Sequence, residues 1–178
     1  MEPHDVLEFW WSAGPEKWFQ GGPAFDEEIA ARFGDLWRRA CDGDCAGWAQ
    51  DAAGALALII VLDQFSRNIG RGAPASFTQD AAAKDVAERA LAAGFDRCFP
   101  LPARMLFYLP FEHSEDMADQ ERSVDLYRRL GDREFYFYAL EHMDVIRRFG
   151  RFPHRNAVLG RDTTPAEAAF MADGGFGA

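Results

Sequence analysis

Four groups of residues in this 178-residue sequence combine side chains that could do chemistry together. The densest is Arg151-Phe152-Pro153-His154-Arg155-Asn156. Guanidinium groups are planar donors suited to carboxylate or phosphate, and Phe152-Pro153 restricts the backbone that presents them. All but Lys17 and Lys84 of the 19 basic residues are arginine, so the choice of arginine over lysine here carries less information. One reading assigns Arg151, His154, Arg155 and Asn156 to ligand binding. The other is a structural clamp, with Arg151 and Arg155 bridging to Glu112, Glu115 or Asp119 while Asn156 caps a turn. Both stay open.

The second group, Glu112-His113-Ser114-Glu115, follows Pro110, which is expected to break the preceding helix. Imidazole titrates near neutrality and a carboxylate can fix its tautomer, so His113 with Glu112 or Glu115 forms a candidate acid–base couple. Ser114, Glu115 and Asp116 could instead cap the next helix. The third is His142, expected on an inward stripe with Phe135, Tyr138, Ala139, Ile146 and Phe149, where it needs a hydrogen-bond partner. The fourth is Asp63 and Arg67, four apart, which can pair along a helix or line a pocket. His113, His142 and His154 with Glu112, Glu115 or Asp63 also include donors that suit a transition metal. No ligand spacing such as HExxH supports one, and the arginines oppose a cation, so no metal or cofactor is expected.

These groups must be positioned by helices. Pro3 reads as a first-turn proline and Gly14-Pro15 as a stop. Ile29, Phe33, Leu36, Trp37 and Ala40 recur at helical spacing, and Ala52 to Ile69 is apolar on most sides, the mark of a central helix. Further helices are expected over Gln79–Ala93, Ala103–Leu109, from Asp116 to Gly131, and over Glu134–Phe149. Thr164-Pro165-Ala166-Glu167 reads as a capping box opening a last one. No segment alternates like a strand. The expectation is one all-α domain over 1–178, with seven to eight helices packed as antiparallel hairpins.

Composition bounds the function. With 16 Phe and 5 Trp the chain can bury a substantial core. A net charge of −10 argues against general nucleic-acid binding. Neither a spanning segment nor a basic signal start is evident, and Cys41, Cys45 and Cys98 form no CxxC pair, which points to the cytoplasm and to no membrane partner. Charge is uneven, however. Glu112 to Asp125 is acidic and Arg147 to Arg161 holds five arginines and no acid, so the two segments either pack together or leave a surplus for an anion.

Taken together, the motifs resemble a bacterial family known as domain of unknown function 924. The resemblance rests on Val6-Leu7-Glu8-Phe9-Trp10, Leu62-Asp63-Gln64-Phe65-Ser66-Arg67-Asn68, Pro110 to Glu115, Asp119-Gln120, and Phe149 to Asn156 with Leu159-Gly160-Arg161. It implies a tetratricopeptide-like right-handed array of helix pairs and transfers no activity. The expected function is a pocket for a small anionic molecule, phosphorylated or carboxylated. Asp63, Arg67, Arg151, His154, Arg155 and Asn156 would bind it, and Glu112, His113, Glu115 and His142 would supply acid–base capacity for hydrolysis or transfer. The rival is an interaction module that takes an acidic peptide. Oligomeric state lies beyond the sequence.

Overall fold

The structure is a computed structural model that describes residues 1–175. Among these it contains eight α-helices and no strand. The chain forms two compact units, one built from Met1–Arg71 with Ala75–Pro110, the other from Gly72–Pro74 with Phe111 onward.

In the first unit, α1 (Pro3–Gln20) starts on its proline and is interrupted at Gly14, whose φ of 81° no helix can hold. The expected stop is therefore a kink. Pro15, which lacks the amide hydrogen a helix start leaves unused anyway, opens a further turn. Trp18 folds back across the kink, its ring stacked on Trp10 at 5.6 Å and its Nε1–H donating to the Trp10 carbonyl. Next come α2 (Gly22–Cys41) and the central α3 (Ala52–Ile69). By length and composition alone α3 could cross a bilayer, but 72% of it is buried inside the protein, where its apolar surface forms the core. Phe9, Phe33 and Phe65 meet there at centroid distances of 4.8 and 4.9 Å. A 3-10 turn, Ala46–Gln50, lies so close to α3 that a Cβ on Gly54 would fall 2.1 Å from the Trp48 carbonyl oxygen. The unit closes with α4 (Asp80–Ala92) and a 3-10 turn over Ala103–Phe107, where a regular helix was expected.

The chain passes to the second unit within α5, the helical turn Leu109–Glu112. Pro110 follows the expected break, since the 3-10 turn ends at Phe107 and α5 begins at Leu109. It sits at the second residue, where its missing N–H costs no bond, and the helix runs on to Glu112. Asp116 caps α6 (Met117–Leu130) by accepting from the Ala118 and Asp119 amides, and Asp132 does the same for α7 (Arg133–Phe149). Only Gly131 and Asp132 separate them, so α6 and α7 form a helix hairpin. Gly150, at φ 68°, ends α7 in the left-handed conformation that glycine tolerates best. A 3-10 turn over Pro153–Arg155 and α8 (Pro165–Ala172) follow, the latter behind the expected Thr164/Glu167 capping box. Val145, Ile146 and Phe152 form this unit's local core, with Met117, Phe149 and Phe170 against it.

Candidate functional site

In the first unit the sequence pointed to Asp63 and Arg67. Residues 60–65 of α3 are wound as a π-helix, a widening that frees backbone carbonyls for side chains. Arg67 takes one of them, donating through Nη1 to the Asp63 carbonyl at 2.8 Å. The same Nη1 lies 3.1 Å from the Asp63 carboxylate, and Nη2 lies 3.1 Å from that of Asp80. Asp63 is fully buried and also accepts from the Gln64 amide at 2.6 Å. Arg67 is thus held between two carboxylates, the structural role weighed in the sequence.

The second unit gathers most of the other candidates. The end of α5 supplies Glu112, the loop after it His113, α7 supplies His142, and the turn beyond Gly150 supplies Phe152, His154 and Arg155. The His142 ring lies 6.2 Å from the His113 ring and meets Phe152 edge-on at 5.8 Å, while Phe152 faces His154 at 5.6 Å. Arg155, 6% exposed, lays its guanidinium over Phe152 at 4.6 Å and donates from Nη2 to the His113 carbonyl at 2.9 Å. Glu112 Oε1 lies 3.1 Å from His142 Nδ1, which brings a carboxylate and an imidazole together in this cluster.

Nδ1 of His142 faces two acceptors, Glu112 Oε1 and, at 2.8 Å, the Tyr138 carbonyl four residues back. Nδ1 therefore carries the proton, and in the neutral ring Nε2 keeps the lone pair. Burial dominates the ring's titration, and the neighbouring His113, Arg155 and His154 add to it, so the His142 imidazole is pushed down to about 3. The Tyr138 carbonyl, which favours the imidazolium, does not offset them. At neutral pH the ring is an uncharged base with an ordered tautomer. Tyr138 contributes this carbonyl while its ring, expected inside, is 48% exposed and packs edge-on against Phe137. It sits at the margin of the stripe that Ala139, His142 and Ile146 define.

Two expected site residues are engaged in two-pronged ion pairs. Glu115 receives Arg161 through both oxygens, at 2.7 and 3.0 Å, and accepts the Phe152 amide at 2.8 Å. Burial raises its pKa, yet these hydrogen bonds and the Arg161 and Arg155 charges outweigh burial and leave it lowered. Arg151 forms a two-pronged pair with Glu167 at 2.6 and 2.9 Å and also donates to the Asp162 carbonyl. Hydrogen bonds from Arg151 and then from the Thr164 amide hold Glu167 far below the usual carboxylate range. The sequence anticipated a clamp on Arg151, and the acid that meets it is Glu167 in place of Glu112, Glu115 or Asp119. The acids meeting Arg151 and Arg161 are Glu167 and Glu115, and the sequence marks Glu167 only as a capping-box residue. Asn156 is buried, with Nδ2 directed at Thr163 Oγ1, so it braces the turn.

Sequence reasoning missed Gln120 as a single residue. It is fully buried in α6 and donates from Nε2 to the carbonyls of Glu112 (2.6 Å) and Ser114 (2.7 Å). Nothing in its spacing marks that role. Among the described residues no group of three His, Cys, Asp or Glu side chains is placed to hold a metal ion.

The comparisons place the chain among proteins of undefined activity. A family model described as bacterial protein of unknown function (DUF924) matches residues 6–175. A solved structure of a protein of unknown function, ATU0120 from Agrobacterium tumefaciens, superimposes with a TM-score of 0.92 at 42% identity, covering 96% of this chain and 97% of that one. No curated protein matches.

Proposed function

Because the chain belongs to the DUF924 family, whose description carries no activity, we propose from the geometry that its second unit binds a small phosphorylated or carboxylated molecule. His113, His142, His154 and Arg155 would form the anion-facing side, with Glu112–His142 as the acid–base couple. The observation that carries the reading is the convergence of the His113, His142 and His154 rings and the Arg155 guanidinium, linked through Phe152. Burial and the nearby His113, Arg155 and His154 oppose a positive charge on the His142 ring, and the Arg155 guanidinium favours an incoming anion. An anion held there lies beside a base whose Nδ1–H is fixed by Glu112 and Tyr138, the arrangement that hydrolysis or group transfer needs. Arg151 and Glu115 support the walls through Glu167 and Arg161.

The test is calorimetric titration with inorganic phosphate and with small dicarboxylates, at constant ionic strength. Wild type binds one class, and Arg155→Lys, which keeps charge but loses the planar fork, binds it at least about tenfold more weakly. Equal binding by both proteins, or none by either, defeats the proposal. One observation favours a second reading, a tetratricopeptide-like interaction module for an acidic peptide. Phe137 and Tyr138 are 54% and 48% exposed side by side on α7. Aromatic anchors of a binding surface would be displayed in this way. A Phe137→Ser/Tyr138→Ser double variant that loses binding to an acidic peptide library but keeps phosphate binding separates the two.

A further inference from the structure

The carbonyls at the end of α5 have no continuing helix to satisfy them. Gln120 supplies the missing donor on both sides of His113, reaching the carbonyls of Glu112 and Ser114 with one amide and lying 3.4 Å from that of Phe111. Its cost is visible at the other end of the side chain. Gln120 Oε1 is buried with no hydrogen-bond partner, and so is Ser123 Oγ, three residues along the same face of α6. An apolar side chain of similar volume would fill the space without that orphan acceptor. What it could not do is fix the backbone that carries Glu112. The next residues are tied as well, Ser114 donating to Asp119 at 2.6 Å, so α6 grips the loop at two successive positions.

We propose that Gln120 is a positioning residue for the Glu112–His142 couple, holding the 112–114 backbone so that the Glu112 carboxylate meets Nδ1 of His142. This rests on the reading of that couple as the acid–base element of the site. The groups bearing on His142 are Glu112 from α5, His113 from the adjoining loop, the Tyr138 carbonyl from α7, and His154 and Arg155 from the turn after α7.

The test is a double-mutant cycle read on the His142 imidazole by pH titration with nitrogen-15 NMR of the full chain. Glu112→Gln shifts the His142 titration in the wild-type background. In the Gln120→Met background, where the carboxylate is no longer held in place, the same substitution shifts it at least about threefold less. Gln120→Leu, apolar and unable to donate to the two carbonyls at any pH, gives the same result and serves where the methionine variant does not fold. Ser123→Ala, which leaves the loop untouched, retains the full shift. An undiminished Glu112→Gln effect in both Gln120 variants overturns the proposal, as does the lack of any effect in wild type. Phosphate binding does not enter this readout, so failure of the ligand proposal would appear separately, in the calorimetry.

Discussion

His142 couples the site to stability through its proton. Its folded pKa lies near 3, below the value near 6.5 of an unhindered imidazole, so on acidification the unfolded chain gains a proton that the folded chain refuses. The stabilisation is fully present above pH 6.5 and is lost progressively as pH falls from there towards the folded value. His142→Gln should therefore flatten the fall of unfolding free energy over that interval, by up to about 1.4 kcal/mol per pH unit. Denaturant melts of both proteins at matched pH measure the difference, and parallel curves would remove the argument for a neutral buried ring. Glu115 acts in another way, through a two-pronged pair with Arg161 that solvent partly screens. Glu115→Gln should cost about 1–2 kcal/mol, read by circular dichroism during urea unfolding.

At the scale of elements, the π-wound part of α3 depends on side chains to complete its backbone. Ser66 Oγ donates to the Leu62 carbonyl at 2.6 Å while accepting from Trp37 Nε1 at 2.9 Å. Ser66→Ala strands the buried Leu62 carbonyl and the half-buried Trp37 Nε1–H at once, and about 2 kcal/mol of stability should go with them, measured by the denaturation midpoint of tryptophan fluorescence. Asp116→Ala removes the cap of α6 and should cost about 1 kcal/mol in the same measurement made by circular dichroism. Such caps are legible in sequence because an N-cap is a local contract. Asp116, Thr164 with Glu167, and Gly131 and Gly150 each act within a few residues, and each stands where the sequence places it. Pro110 marks the break after Phe107 as expected, but that it also opens a new helical turn depends on its place within that turn, which composition does not reveal. The acid opposite Arg151 is misassigned because it comes from further along the chain. Charge runs show that Arg151 and Arg161 need acids, but which acid lies opposite depends on the turn after Gly150 and on the approach of α8.

Over the whole molecule, a net charge of −10 accompanies a local group of imidazoles and arginine. An anion would meet long-range repulsion before short-range attraction. The two respond differently to salt, since screening reaches about 10 Å at 0.1 M and leaves buried contacts largely intact. Association of phosphate should therefore hold steady or quicken as an inert salt is raised, the reverse of a basic surface patch. Stopped-flow association rates across a salt series test this, and a steep decline would place the binding on exposed arginines instead. All-helical character and the number of helices are readable from periodicity and punctuation. The meeting of Glu112 with His142 is not, because it joins residues thirty apart through the hairpin, and no local pattern encodes that distance.

Trp18 stacked on Trp10 across the Gly14 kink belongs to a lopsided distribution. All five tryptophans, at positions 10, 11, 18, 37 and 48, lie in the first unit, and the second carries only tyrosines, at 127, 136 and 138. The molecule's strongest intrinsic fluorophores thus observe one unit alone. A fluorescence melt can look complete and cooperative while saying nothing of the histidine cluster. A tryptophan placed at the exposed Phe137 would give the second unit an optical voice of its own.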